Sequence, residues 1–212
     1  MVLEVCAAIS NCLKTEVTQE NIVLIVVNMS CTGLIDETVN ITYVIHDNLI
    51  YGLTTGQTSP TSKQGFVTKT SPRGEWSIAI NPLAQALTTH ASFVARGFAG
   101  APKQLKDILV QAVQHEGFAL VDVLQPCVSF NKVNTYQFYK ERVYKLEDTD
   151  HDTGDWDQAY KRAEEWGERI PIGVFYREER PGYEHNFPVL EKGPLVDQSL
   201  ERDLDELFKE YM

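Results

Sequence analysis

The apolar positions fall into two rhythms. Ile22 to Asn28 (IVLIVVN) is apolar and β-branched almost throughout, which predicts a strand covered on both faces. Ile41 to His46 (ITYVIH) reads the same way. So do the strand in ASFVARGF, Ala91 to Phe98, and Phe118 to Leu124 (FALVDVL). Between the last two the rhythm changes. Leu105, Ile108, Leu109, Ala112 and Val113 recur at i, i+3, i+4, i+7 and i+8, which predicts a helix over Pro102 to Glu116. Pro102 suits its first turn and Gly117 its C-terminal cap. Strand, helix, strand with apolar strands predicts an α/β fold, a mostly parallel sheet with helices on both faces.

Other elements follow from weaker patterns. Val2 to Leu13 and Pro82 to His90 read as short helices. Asp155 to Trp166 reads as an amphipathic helix capped by Asp155, with Trp156, Ala159, Tyr160, Ala163 and Trp166 inward. Ile172 to Tyr176 reads as a late strand, and Leu195 to Tyr211 as a last helix behind a proline- and charge-rich connector. We expect an α/β domain over residues 1–146 and a C-terminal helical extension over 147–212. One junction does not fit. Only Met29 to Asn40 separates the first two strands, with no helical period. A parallel crossover needs a dozen residues or more and usually a helix. The strands are therefore antiparallel, or not neighbours, or the chain lacks material that its relatives have between them.

With 212 residues the chain is long enough to bury a proper core, and its net charge of -11 argues against wrapping nucleic acid. No apolar run is long enough to cross a bilayer, and MVLEVCAAISNCLK lacks a positive region before its apolar part, so the expected location is cytoplasmic. The cysteines, Cys6, Cys12, Cys31 and Cys127, form no C-x-x-C pair. Cys6 and Cys12 read best as buried small hydrophobes. Asp148, Asp150 and Asp152 alternate as in a calcium loop. Gly154 comes one place late and Ala159 stands where a glutamate is needed, so a solvated loop is the better reading.

The stretch with most chemistry is HDNLIYGLTTGQTSPTS, His46 to Ser62. Ligands of open α/β sheets bind beyond the carboxyl ends of the strands, where this stretch begins. Asp47 and Asn48 offer hard oxygens suited to Mg²⁺ against a diphosphate. Gly52 and Gly56 allow close backbone approach, and Thr54, Thr55, Thr58 and Ser59 can donate to phosphate oxygens. Composition alone favours a plainer reading, a polar loop with Asx turns, because no Walker-type spacing is present. His46 is read as a packing residue at least as readily as a site residue.

Taken together, NITYVIHDNLIYGLTTGQTSPTS, GFVTKTSPRG, ASFVARGFAG, GFALVDVLQPCVSFNKVNTYQFYKERVYKLED and IPIGVFYRE strongly resemble the β subunit of the 2-oxoacid:ferredoxin oxidoreductases, which are thiamine-diphosphate enzymes. The resemblance implies that Asn48 gives Mg²⁺ its side-chain oxygen and Ile50 its backbone carbonyl. It places Gly52, Leu53 and Thr54 against the diphosphate. It makes Cys127 of LQPC, and Cys31 of NMSCTG, ligands of a 4Fe-4S cluster. It also implies an α subunit, ferredoxin, coenzyme A and a 2-oxoacid as partners and substrates. Thr55 stands where some members have lysine, a departure that bears on substrate handling.

Two features of the family are missing from this sequence. The C-P-x-C pair of cluster ligands is not found before Met1, and the G-D-G-D segment that gives Mg²⁺ a carboxylate is not found between Thr32 and Asn40. The second gap is the junction already flagged on geometry. Two cysteines do not make a cubane. The alternative expectation is therefore a catalytically inactive or structural homologue. A stand-alone nucleotide-binding module is weaker still, because no phosphate loop opens a helix.

Overall fold

In a computed structural model of the chain, residues 39–182, 185 and 187–198 are described, together with the strand 22–27. The elements are β1 (Ile22–Val27), β2 (Ile41–Asp47), α1 (Pro82–Thr88), β3 (Phe93–Phe98), α2 (Pro102–Gln114), β4 (Phe118–Leu124), α3 (Tyr136–Lys140), β5 (Val143–Lys145), α4 (Trp156–Ala163) and β6 (Ile170–Arg177). They build one six-stranded sheet in the order β1-β2-β4-β3-β6-β5. β1 to β4 are mutually parallel; β6 runs antiparallel to β3, and β5 follows β6. The expected α/β fold with a mostly parallel sheet is the observed one.

Helices cover both faces. α2 lays Leu105, Ile108, Leu109 and Ala112 on Val44, Phe93, Ala119 and Val121. On the other face α1 and α4 set Leu83, Ala86, Leu87, Ala159 and Ala163 against Tyr43, Ile45, Val94 and Leu120. α1 starts at Asn81, whose side chain accepts from the amides of Leu83 and Ala84, with Pro82 in the first turn. The same side chain donates to the Ala163 carbonyl (2.9 Å) and so ties α1 to the end of α4.

β1 and β2 are parallel neighbours in register from Ile22 opposite Ile41. Of the readings of that junction, the antiparallel one and the separated one are therefore wrong. Residues 28–40 are all the chain that lies between the two strands. That is long enough, because an extended chain covers roughly 3.3 Å per residue and can return along a six-residue strand without a helix.

Other boundaries moved. The predicted helix Asp155–Trp166 stops at Ala163, and Trp166 is 42% exposed rather than inward. The late strand is longer than expected and antiparallel to β3, and it joins β5 to the sheet across residue 146. Residues Leu195–Asp197 form a short 3-10 turn where the last helix was expected to begin, and that helix from residue 199 on lies outside the described residues. So does the predicted helix Val2–Leu13.

His115 caps the end of α2, below the sheet's amino edge. Its ring is buried, with Nε2 2.8 Å from Ser92 Oγ and the ring tilted on Phe93. Burial, then the Arg177 charge, push its pKa down to about 4. The unfolded chain therefore takes up this proton first. Stability is present above about pH 6.5 and falls as the pH drops towards 4, by roughly 1–2 kcal/mol. Urea midpoints across that range should show the slope in the wild type and lose this increment in His115→Gln. Parallel slopes in the two proteins would contradict it.

Candidate functional site

The carboxyl ends of β2, β3 and β4 meet at one place, and the loop after β2 grows from it. Asp47 closes β2, and its backbone carbonyl accepts from Gln125 N (2.9 Å) at the end of β4. Its carboxylate is buried and accepts from Leu49 N (3.0 Å) and Thr61 Oγ1 (2.6 Å). Asn48 Oδ1 accepts from Ile50 N (3.2 Å), an Asx turn. Between them Leu49 takes φ +56, a left-handed conformation that costs a non-glycine residue of order 1–3 kcal/mol. The chain then makes a tight bridge, with Tyr51 N donating to Gln57 O (2.8 Å) and Gly56 N to Tyr51 O (2.9 Å). Thr55 and Gly56 supply the left-handed turn at its tip.

The segment after β4 lies under this loop. A Cβ on Gly52 would stand 2.9 Å from Cys127 Sγ, and one on Gly56 3.1 Å from Phe130 Cβ. Only glycines let the two segments come this close. Asn131 joins them, donating from Nδ2 to the Asn48 carbonyl (3.1 Å).

Beneath Asp47 lies a buried charge cluster. Arg96 of β3 and Asp122 of β4 are register partners, with Nε 2.9 Å from Oδ2 and side chains 3% and 0% exposed. The guanidinium is also stacked near the rings of Trp166 (5.3 Å) and Phe175 (5.7 Å). Burial, and then the Asp122 charge, raise the Asp47 carboxyl to about 7, against the pull of Thr61, Leu49 N and Arg96. Burial raises Asp122 as well, opposed by Arg96. The phenol of Tyr139 is pushed up by burial, then by Asp47 and Asp122. Asp47 and Arg96 reach the wall of a cavity of about 450 Å³, closed further by Leu49, Phe66, Phe138 and Trp166.

The predicted residues are brought together only in part. Asn48, Ile50 and Gly52 form the strand-end turn, with Cys127 packed beneath Gly52. Leu53 is 95% exposed, and Thr54 donates to Gln57 Oε1 (2.7 Å), so both stand at the outer tip. Ser59 is buried in a turn with Thr61 and Ser62, and Thr58 binds Glu75. These two hydroxyls are thus used within the loop. His46 is buried with Nδ1 on Gln125 Oε1, the packing role expected. Cys31, Cys6 and Cys12 lie outside the described residues, and Cys127 is the one cysteine within them. The Asp148–Asp152 loop is largely solvated, and Asp152 Oδ1 caps Gly154 N. Among the described residues no helix is long and apolar enough to cross a membrane.

Sequence reading missed Arg96, Asp122, Ser62 and Asn131. Arg96 and Asp122 carry a signal in hindsight: single charges of opposite sign inside two otherwise apolar strands, FVARGF and FALVDVL.

The chain is an α/β domain with an irregular polar loop at the carboxyl end of β2. Residues 24–123 match the model of the C-terminal TPP-binding domain of thiamine pyrophosphate enzymes. Residues 127–192 match that of the C-terminal part of the β subunit of pyruvate ferredoxin oxidoreductase. A 2-oxoacid:ferredoxin oxidoreductase β subunit from a Sulfolobus species is 44% identical over 161 residues, 69% of this chain and 52% of the relative. One from Saccharolobus solfataricus is 43% identical over 155 residues, 66% of this chain and 50% of the relative. The solved 2-oxoglutarate:ferredoxin oxidoreductase from Magnetococcus marinus, with 2-oxoglutarate, coenzyme A and succinyl-CoA bound, aligns at TM-score 0.77 and 30% identity, over 98% of this chain and 72% of that one. The chain belongs to the 2-oxoacid:ferredoxin oxidoreductase family, among its β subunits. It spans about half the length of the curated relatives it matches.

Proposed function

We propose that this chain carries one half of a Mg²⁺–thiamine diphosphate site, in a β subunit that oxidatively decarboxylates a 2-oxoacid to an acyl-CoA. The observation that carries this is the turn at the end of β2. There Asn48 Oδ1 and the Ile50 carbonyl, two neutral hard oxygens, bracket a left-handed Leu49 inside the segment that matches the thiamine model. Such a donor set suits Mg²⁺, which takes few protein ligands and completes its shell with water and phosphate oxygens. Gly52 keeps the backbone bare beside it, and Thr54 at the loop tip would give its hydroxyl to the diphosphate by exchanging its bond to Gln57 Oε1. Bound there, thiamine diphosphate supplies the electron sink for loss of CO₂. The chain's own part is to hold the cation and the diphosphate. The site is completed by the α subunit, coenzyme A takes the acyl group, and ferredoxin takes the electrons.

The 4Fe-4S cluster of the family does not fit the described residues. They contain Cys127 alone, and no group of three or more His, Cys, Asp or Glu that could hold a metal. No step is assigned to it, and Cys31 stays an expected ligand only.

A second reading, a catalytically inactive or structural homologue, is favoured by one observation. Both proposed ligand oxygens already accept hydrogen bonds inside the turn, Asn48 Oδ1 from Ile50 N and the Ile50 carbonyl from Gly52 N (3.0 Å). The test is release of labelled CO₂ from pyruvate or 2-oxoglutarate in the presence of both cofactors, coenzyme A and ferredoxin. The chain alone should release none, and the chain with its α subunit should. Release by the chain alone would refute the half-site; none from either mixture selects the second reading.

A further inference from the structure

We propose that Asn131 and Ser62 are positioning residues for the cation–diphosphate loop. Each holds one of the two carbonyls that flank the left-handed Leu49. The proposal rests on the reading of Asn48 and Ile50 as cation ligands.

The two peptide units around Leu49 are fixed at all four ends. The Asn48 carbonyl accepts from Asn131 Nδ2 (3.1 Å), and Leu49 N donates to Asp47 Oδ1 (3.0 Å). The Leu49 carbonyl accepts from Ser62 Oγ (2.7 Å), and Ile50 N donates to Asn48 Oδ1 (3.2 Å). A leucine has no reason of its own to sit at φ +56. It stays there because relaxing to negative φ would turn both carbonyls away from donors that are themselves buried. Asn131 and Ser62 are each 1% exposed.

Asn131 is anchored in the segment after β4 and Ser62 in the turn at Ser59. Asn131 Oδ1 accepts from Val133 N (3.0 Å) and Asn134 N (2.9 Å), and Asn131 N donates to the Cys127 carbonyl (3.0 Å). Ser62 Oγ also accepts from Ser59 N (2.8 Å). The segment after β4 thus holds the Asn48 carbonyl, and the turn at Ser59 holds the Leu49 carbonyl. What they fix is the relation between Asn48 Oδ1 and the Ile50 carbonyl, two residues apart on either side of the kink. If Leu49 relaxes, that relation changes.

Asn131 can be changed without undoing its own turn. In Asn131→Asp a carboxylate oxygen still accepts from Val133 N and Asn134 N, but the Nδ2 donor to the Asn48 carbonyl, and to Asn134 Oδ1 (3.3 Å), is lost. The measurement is calorimetric titration of the full chain with Mg²⁺ at saturating thiamine diphosphate, beside the melting temperature. Asn131→Asp and Ser62→Ala should each weaken Mg²⁺ binding about tenfold or more, and Ser62→Thr should keep it. Leu49→Gly placed in the Asn131→Asp protein should recover most of the loss, because glycine takes the left-handed conformation unaided. Wild-type affinity in Asn131→Asp and Ser62→Ala would overturn the proposal while leaving the site reading intact. A loss that follows the melting temperature and is not relieved by Leu49→Gly would overturn it too, as a purely structural effect. A wild type that binds no Mg²⁺ with thiamine diphosphate would overturn both the proposal and the reading beneath it. Should Asn131→Asp fail to fold, the Ser62 pair decides alone.

Discussion

Asn48→Ala is expected to weaken Mg²⁺-dependent binding of thiamine diphosphate by at least about a hundredfold, since removing a direct ligand should cost more than removing a residue that only orients one. The substitution takes away one of the two oxygens offered at the end of β2 and frees Ile50 N from its Asx turn. Asn48→Asp separates these effects. It keeps an acceptor for Ile50 N and adds a charge that Mg²⁺ favours, so its affinity should equal or exceed that of the wild type. Calorimetry on the three proteins reads the difference directly. Equal affinity in Asn48→Ala and wild type would mean that the loop binds its ligand, if any, through other atoms. Equal losses in Asn48→Ala and Asn48→Asp would mean that the amide nitrogen, not the oxygen, is what matters.

The second large effect concerns stability. Arg96→Met leaves the Asp122 carboxylate alone in a site with no solvent, and breaking a buried pair in this way costs about 3–5 kcal/mol. For a chain of this size that corresponds to a fall of roughly 6–20 °C in melting temperature. The double variant Arg96→Met/Asp122→Leu removes both charges and should recover most of the loss, since a packed apolar pair is often as stable as the ion pair it replaces. Thermal melts of the two single variants and the double one form a cycle. Additive losses would show that the two side chains do not act as a pair. Arg96 and Asp122 cross-link β3 and β4 just below Asp47, where β2 gives way to the loop after it.

What could be read from the sequence follows from where the information is local. β2 and β4 are mostly apolar runs, and such runs belong in the middle of a parallel sheet. α2 shows its buried stripe at every turn. β6 was found but not its direction, because strand polarity is set by the whole chain's path. Its sequence IPIGVFYR also carries Pro171 and Gly173, which weaken a strand pattern. Gly173 takes φ +134 with Glu147 and Leu146 against it, so the irregularity serves a close approach. β5, three residues long, has no pattern to read.

The site was legible to a different depth. The stretch HDNLIYGLTTGQ stood out through hard oxygens and glycines after a strand, but its composition alone favoured a plain polar loop, and the ligand-binding reading came from the family resemblance. That two of its hydroxyl residues, Thr58 and Ser59, would be used internally was not visible. Nor was the grip of Asn131 and Ser62 on Leu49, because each is a side-chain-to-backbone bond, one of them across 83 positions of sequence. A leucine in a left-handed turn leaves no sequence signal, where a glycine would have.

The measurement that bears most directly on the central claim is calorimetric titration of the full chain with thiamine diphosphate, once with Mg²⁺ and once with a chelator. The half-site predicts saturable heat with Mg²⁺ that vanishes in the chelator and in Asn48→Ala. A folded chain, shown by a cooperative melt, that gives no heat with Mg²⁺ would contradict it, and the loop after β2 would then be a structural turn alone.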